Sequence, residues 1–371
     1  RLEIPAYLPS ASQKLLLDAC LLDTAAARLA CEEWDGSTDD GKFDAGATRL
    51  FPFLASRIDE LELTGELAGQ LRLAQRNAWV QSQIHTNVAS QVIELLDSSG
   101  IKGILLKGAA LSNYVYASPR LRPSADIDLL VEREEISRAL ELCVENGWIS
   151  DLRFPNKPVD FVAGHAVTLV SPAPHIVELD VHWRITEWTN CEVALQQIRA
   201  RALSIGIAGK PAFAIGPADC LVHICAHGAN WNEISPIRWV ADAVMLLRRT
   251  NIDWDHLLAQ SERLKLTLQM RATLGFLVDE YGVQVPDHVL DALSRREVPE
   301  IEKFIYTLGT LPLERRSFLV RVRLHLWRCR HMLGRSPLIP IVYFLRRLTD
   351  HSPREAIRWL TSRIWPGWID R

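Results

Sequence analysis

The chain has 371 residues, 48% apolar and 23% charged, with a formal net charge of −3. That is more chain than one compact core usually holds, so two or three units sharing an interface are expected. The near-neutral balance excludes a global field for nucleic acid, and no apolar run reaches the ~18 residues of a membrane span.

The seven cysteines, at 20, 31, 143, 191, 220, 225 and 329, form no CxxC pair and are odd in number. This argues against a disulfide framework or zinc ribbon and for reduced thiols. Arg1-Leu2-Glu3-Ile4-Pro5 lacks the charged-then-apolar pattern of a signal segment. A soluble, cytoplasmic protein is therefore expected.

The first hundred residues read as helices. Leu15, Leu16, Ala19, Leu22 and Ala26 recur at helical spacing, and a longer stripe runs through Leu71, Leu73, Val80, Ile84, Val88, Val92 and Leu96. Residues 36–46, rich in Asp and Gly, read as a loop, and Gly100 stops the long helix. The texture then changes. Residues 101–107 read as a buried strand, 109–116 as a short helix, 127–131 as a second strand and 134–146 as an amphipathic helix stopped by Gly147. Two further strands, 166–170 and 176–183, flank a Pro-rich turn. Strands interleaved with helices over about eighty residues suggest a small α/β unit. From 219 onward helices return, at 219–229, 237–248 and 254–281. The expected division is a helical region over 1–98, an α/β core over 99–185 and a helical region over 186–371.

Alternation on the strand at Asp126-Ile127-Asp128 puts both carboxylates on one face. Neighbouring carboxylates repel unless a cation lies between them, and Mg2+ favours such hard oxygen ligands. Taken alone, the pair is better explained as two solvated acids at a strand end. On the later strand, Glu178, Asp180 and His182 share a face in the same way. Should the two strands lie side by side, Asp180 completes a three-carboxylate cluster able to hold two metals. Lys107-Gly108 falls between a strand and a helix start, where a glycine and free helix N–H groups suit a phosphate. Lys107 could add a point charge, and Arg122 is a second phosphate clamp or a surface arginine.

These segments together resemble a family. Residues 99–111, with Leu105-Leu106-Lys107-Gly108-Ala109-Ala110-Leu111, then Arg122-Pro123 and Asp126-Ile127-Asp128-Leu129-Leu130-Val131, are similar to the bacterial uncharacterised nucleotidyltransferases of the DNA polymerase beta-like superfamily. Asp180-Val181-His182-Trp183-Arg184 resembles that family's Asp/Glu-x-His-Trp-Arg segment, and residues 221–228 with Arg238-Trp239-Val240-Ala241-Asp242 resemble its helical segment. The resemblance implies an α+β fold, a small mixed-sheet core flanked by helices, and an NTP bound through Mg2+ or Mn2+. It maps Asp126, Asp128 and Asp180 onto the superfamily's catalytic, metal-holding triad. The usual Gly-Ser after the first strand is here Lys107-Gly108-Ala109, without the hydroxyl, so Lys107 is expected to substitute for it.

The expected activity is transfer of a nucleoside monophosphate to a hydroxyl, with pyrophosphate released. The acceptor is a small molecule, peptide, protein or RNA, and the resemblance does not choose among them. The alternative is a degenerate transferase that binds a nucleotide or a partner. Lys107, Gly108, Arg122 and His182 are expected on the nucleotide side, and Glu178, Arg184, His227, Arg238 and Asp242 on the acceptor side or behind the ligands. His223 and His227 share a helical face, which fits a cleft wall, a satisfied core pair or a zinc site. Asp242 falls among Val240, Val244 and Leu247 and needs a partner, for which Arg238 one turn earlier is the local candidate. The Arg-rich tail from 315, with Trp327, Trp359, Trp365 and Trp368, fits either a solvated basic face or a platform for RNA, a peptide or a membrane.

Overall fold

The computed structural model describes residues 7–35, 43, 45–150, 164–186, 189, 191–232, 234 and 236–312. The Arg-rich tail lies outside them. The N-terminal helices form where the apolar stripes lie. Ser10 caps α1 (Ala11–Leu21) through a reciprocal box with Gln13. After α2 (Thr24–Asp35) and the single turns α3 (Ala45–Thr48) and α4 (Phe51–Leu54) comes α5 (Gly65–Asp97), 33 residues long. Gly100, at φ +77°, turns the chain out of that helix in the left-handed region open to glycine.

The elements that follow are β1 (Ile104–Leu105), α6 (Lys107–Tyr114), β2 (Asp126–Leu130), α7 (Ile136–Glu145), β3 (Ile149–Ser150), β4 (Ala166–Val170) and β5 (Glu178–His182). After α8 (Glu192–Ala200), β6 (Leu203–Ile207) and β7 (Lys210–Ala214) form a hairpin around Ala208-Gly209, both at positive φ. A two-residue turn of that kind matches strand twist. Together the strands make one mixed sheet in the order β3-β4-β5-β2-β1-β7-β6. β2 pairs parallel with β5 and antiparallel with β1, while β1 pairs parallel with β7. The sheet thus draws two strands from the region expected to be helical after residue 185.

The protein is α+β, with this sheet between helices that precede and follow it. Ile127, Leu129, Leu179 and Val181 point into the core and are essentially sealed from solvent. That burial removes apolar surface from water and fixes the register, because a one-residue slip would send the carboxylates inward. The later helices are α9 (Pro217–Gly228), α10 (Arg238–Arg249), α11 (Trp254–Arg263), α12 (Thr267–Tyr281), α13 (Asp287–Arg295) and α14 (Glu300–Thr310). The single helical segment expected over 254–281 is two helices, broken where Lys265 takes φ +57°. Gly228 lets α9 lie against α10, since a Cβ there would stand 2.2 Å from the Trp239 ring.

Candidate metal and nucleotide site

β2 and β5 lie side by side in register, with Asp126 opposite Glu178, Asp128 opposite Asp180 and Leu130 opposite His182. Parallel partners in register project to the same face, so the two acid-bearing strands meet as their alternation suggests. Ligand atoms of Asp128, Asp180 and His182 lie within 4.8 Å of one another. His182 Nε2 is 2.9 Å from Asp128 Oδ1, and its Nδ1 is buried without a hydrogen-bond partner among the described residues. Thr168 on β4 donates to Asp180 Oδ1 at 2.5 Å, fixing that carboxylate from the other side. Two carboxylates and an imidazole form a donor set suited to a divalent cation of the Mg2+, Mn2+ or Zn2+ kind.

A protein cation stands in this cluster. Lys107 Nζ donates to Asp128 Oδ1 at 2.6 Å. Its backbone is at φ +39°, a conformation a side chain rarely adopts, where the chain turns from β1 into α6. Burial alone would raise the Asp128 carboxyl, but the Lys107 ammonium and the His182 bond hold it well below the carboxylate range. Asp126 has the opposite balance. Burial and then the charge of Asp128 push it up, with Lys107 only partly compensating. A carboxylate in that state lacks a counter-charge, as a cation ligand would.

The segment before β2 is held from a distance. Asp242 on α10 is buried and accepts from Arg122 Nε at 3.1 Å, Arg122 Nη2 at 2.7 Å and the Tyr116 hydroxyl at 2.9 Å. The partner of Asp242 is therefore Arg122, 120 residues away, in place of Arg238. Arg238 instead donates to the Pro123 carbonyl at 2.9 Å, and burial together with the Arg122 charge pushes its guanidinium down to about 9. Gln81 on α5 holds the Ser124 carbonyl at 2.9 Å. Arg122 Nη1 is left beside Gly108, where a Cβ would stand 2.4 Å from it and 2.4 Å from Ser124 Oγ. Gly108 is thus required for the guanidinium and the hydroxyl to reach the start of α6. Ser124 places a hydroxyl beside Gly108, and its Oγ lies 3.3 Å from Asp126 Oδ1.

The remaining predicted residues separate. Glu178 is exposed beside Asp126 in the strand register. Arg184 is buried and donates to the Gly164 carbonyl. His223 is buried, and its ring is held well below its usual value by burial and by Lys107. His227 reaches solvent from within dense surroundings. Burial and the charge of Lys107 push it down to about 4, and it also feels Asp128, His165 and His182. Asp242 is sealed. Tyr116, Ser124 and His85 lie at or beside the site and carry no motif; only the Ser-x-Asp spacing of Ser124 to Asp126 was a signal.

A mixed sheet thus brings together paired acids on adjacent strands, a Lys-Gly turn and a loop arginine. The family model described as "Uncharacterised nucleotidyltransferase" matches residues 45–280, and the chain belongs to that family. No curated protein matches the chain. Among solved structures, it is similar to an antigenic nucleotidyltransferase-like protein from Paracoccidioides brasiliensis, at 16% identity and a TM-score of 0.38 over 58% of this chain and 94% of that one.

Proposed function

We propose that the protein transfers a nucleoside monophosphate from an NTP to a hydroxyl, using Mg2+ or Mn2+. The observation that carries this is the in-register Asp128 and Asp180 pair, with His182 completing a donor cluster. Asp128 and Asp180, with Asp126 beside them, are assigned to the metal. A bound divalent ion would polarise the phosphate oxygens and neutralise charge gathering on the leaving group. Arg122 Nη1, the Ser124 hydroxyl and the free N–H groups at the start of α6 receive phosphate oxygens, with Gly108 keeping the approach clear. The acceptor oxygen forms a bond to the α-phosphorus as the bridging α–β bond breaks. Pyrophosphate leaves with the electron pair, and Asp180 takes the acceptor's proton.

Lys107 holds Asp128 before substrate arrives and is close enough in charge to sense Asp126 and Asp180. His227 is assigned to the acceptor side of the cleft. Asp242 and Arg238 act through Arg122 and Pro123. The acceptor is a hydroxyl on a small molecule, peptide, protein or RNA.

One observation favours a second assignment, a degenerate transferase that senses a nucleotide: the ammonium of Lys107 already neutralises Asp128. Pyrophosphate release from each NTP, with Mg2+ or Mn2+ and with cell RNA, peptide or small-molecule fractions as acceptor, separates the two. Metal-dependent release supports the transferase. Tight nucleotide binding with no release under any combination supports the sensor.

A further inference from the structure

We infer that the phosphate subsite of this protein is completed from outside the α/β core, by His85 on the long helix α5, whose Nδ1 accompanies Arg122 in holding the phosphates of the NTP. The inference rests on the nucleotidyltransferase assignment above and adds a residue to those assigned there.

A small cleft, partly open to solvent, lies between α5 and α6 and is bounded by the segment that leads into β2. Ser82, His85, Thr86 and Ala89 enter it from α5 at helical spacing. Ser112 and Asn113 enter from α6, and Arg122, Ser124 and Asp126 from the loop. The cleft therefore runs from a candidate metal ligand to the face of α5.

Among the described residues the lining offers the Arg122 guanidinium, the His85 imidazole and the hydroxyls of Thr86 and Ser124, with Asp126 as its one acid, while Ser82, Ser112 and Asn113 already donate to backbone carbonyls of their own helices. Asp242 fixes Nε and Nη2 of Arg122, so Nη1, which donates to the Pro123 carbonyl only at 3.4 Å, is the part turned toward Gly108. His85 Nδ1 is buried and has no hydrogen-bond partner among the described residues. A buried polar atom without a partner is costly, and such atoms mark places where a ligand supplies the missing contact. Burial lowers the affinity of the ring for a proton; a phosphate beside it restores the balance by stabilising the protonated, donating form. The Gln81 bond to the Ser124 carbonyl keeps α5 in register with the loop, so His85 and Ser124 face one cleft as a unit.

The test uses the full chain and inorganic tripolyphosphate with Mg2+ in calorimetry, a probe with neither base nor acceptor. Wild type is expected to bind it. His85→Ala should weaken it about tenfold, the scale of one charge-assisted hydrogen bond, while Mn2+ affinity without tripolyphosphate stays the same. His85→Gln, which keeps an amide donor, should recover part of the loss. If His85→Ala binds tripolyphosphate as wild type does, the role of His85 is overturned and the transferase assignment survives. If wild type binds neither tripolyphosphate nor any NTP, both fall. Should His85→Ala fail to fold, the His85 ring signal in wild-type NMR, identified by its loss in His85→Gln, decides: a shift on adding tripolyphosphate supports the contact, and an unmoved signal overturns it.

Discussion

The two walls of the site are held in different ways. The β2–β5 pair is fixed by local alternation and sheet register, with Ile127, Leu129, Leu179 and Val181 in the core and the acids on the other face. The Arg122–Ser124 loop has no strand to hold it. It is pinned by side chains from α10 and α5, through Asp242, Arg238 and Gln81. The carboxylates are thus positioned by elements that fold with them, and the phosphate-facing groups by helices distant in sequence. It follows that damage to the helical shell should reach the nucleotide before it reaches the metal.

The comparison is sharpest at Asp128. Asp128→Asn should abolish turnover and also destabilise the protein by about 2 kcal/mol, because it strands the Lys107 ammonium in a largely buried site. Asp126→Asn should abolish turnover with unchanged or raised stability, since that carboxyl is the repelled one. Thermal or denaturant unfolding of both variants beside pyrophosphate assays checks the pair. Equal stability losses would show that Lys107 does not depend on Asp128.

Breaking the loop's pin comes next in size. Asp242→Asn should cost about 3 kcal/mol of stability, as expected when one partner of a buried pair is removed. It should raise the KM for NTP more than it changes metal affinity. A double-mutant cycle of Asp242→Asn with Arg122→Lys should give a coupling of about 1–3 kcal/mol. A coupling near zero would separate the two residues. Gly108→Ala should weaken NTP binding about tenfold at a stability cost of about 1–2 kcal/mol, since the added methyl meets a pinned guanidinium. Unchanged NTP affinity there would mean that the Arg122 end is free to move aside. The smallest effect on the fold is at His227. His227→Ala should lower turnover about tenfold without changing Tm, because the side chain is exposed. A loss of Tm without loss of turnover would make it a packing residue.

How much of this the sequence displays follows from the same contrast. Asp126, Asp128, Asp180 and His182 are legible because period-two alternation is a local property. Asp242 has an obvious local partner, Arg238 one turn away, and the tertiary structure overrides it with Arg122. The β6–β7 hairpin carried a signal in Ala208-Gly209 between short alternating runs, but its place beside β1 depends on a parallel pairing across more than a hundred residues. His85 falls on the apolar stripe of α5, in line with Val92 and Leu96, and reads as a core-facing histidine until α6 and the loop place it at the cleft. Lys107 was expected to face phosphate; its bond to Asp128 depends on a positive φ that no motif announces.

The most direct test of the central claim is a Mn2+ titration of the purified protein by electron paramagnetic resonance, run with pyrophosphate release from NTP on the same samples, for wild type and Asp180→Asn. Wild type should show saturable Mn2+ binding and Mn2+-dependent release. Asp180→Asn should bind Mn2+ at least about tenfold more weakly and show no release, with the fold retained. Undiminished Mn2+ binding or undiminished release in that variant would contradict the assignment of β2 and β5 as the metal-holding pair.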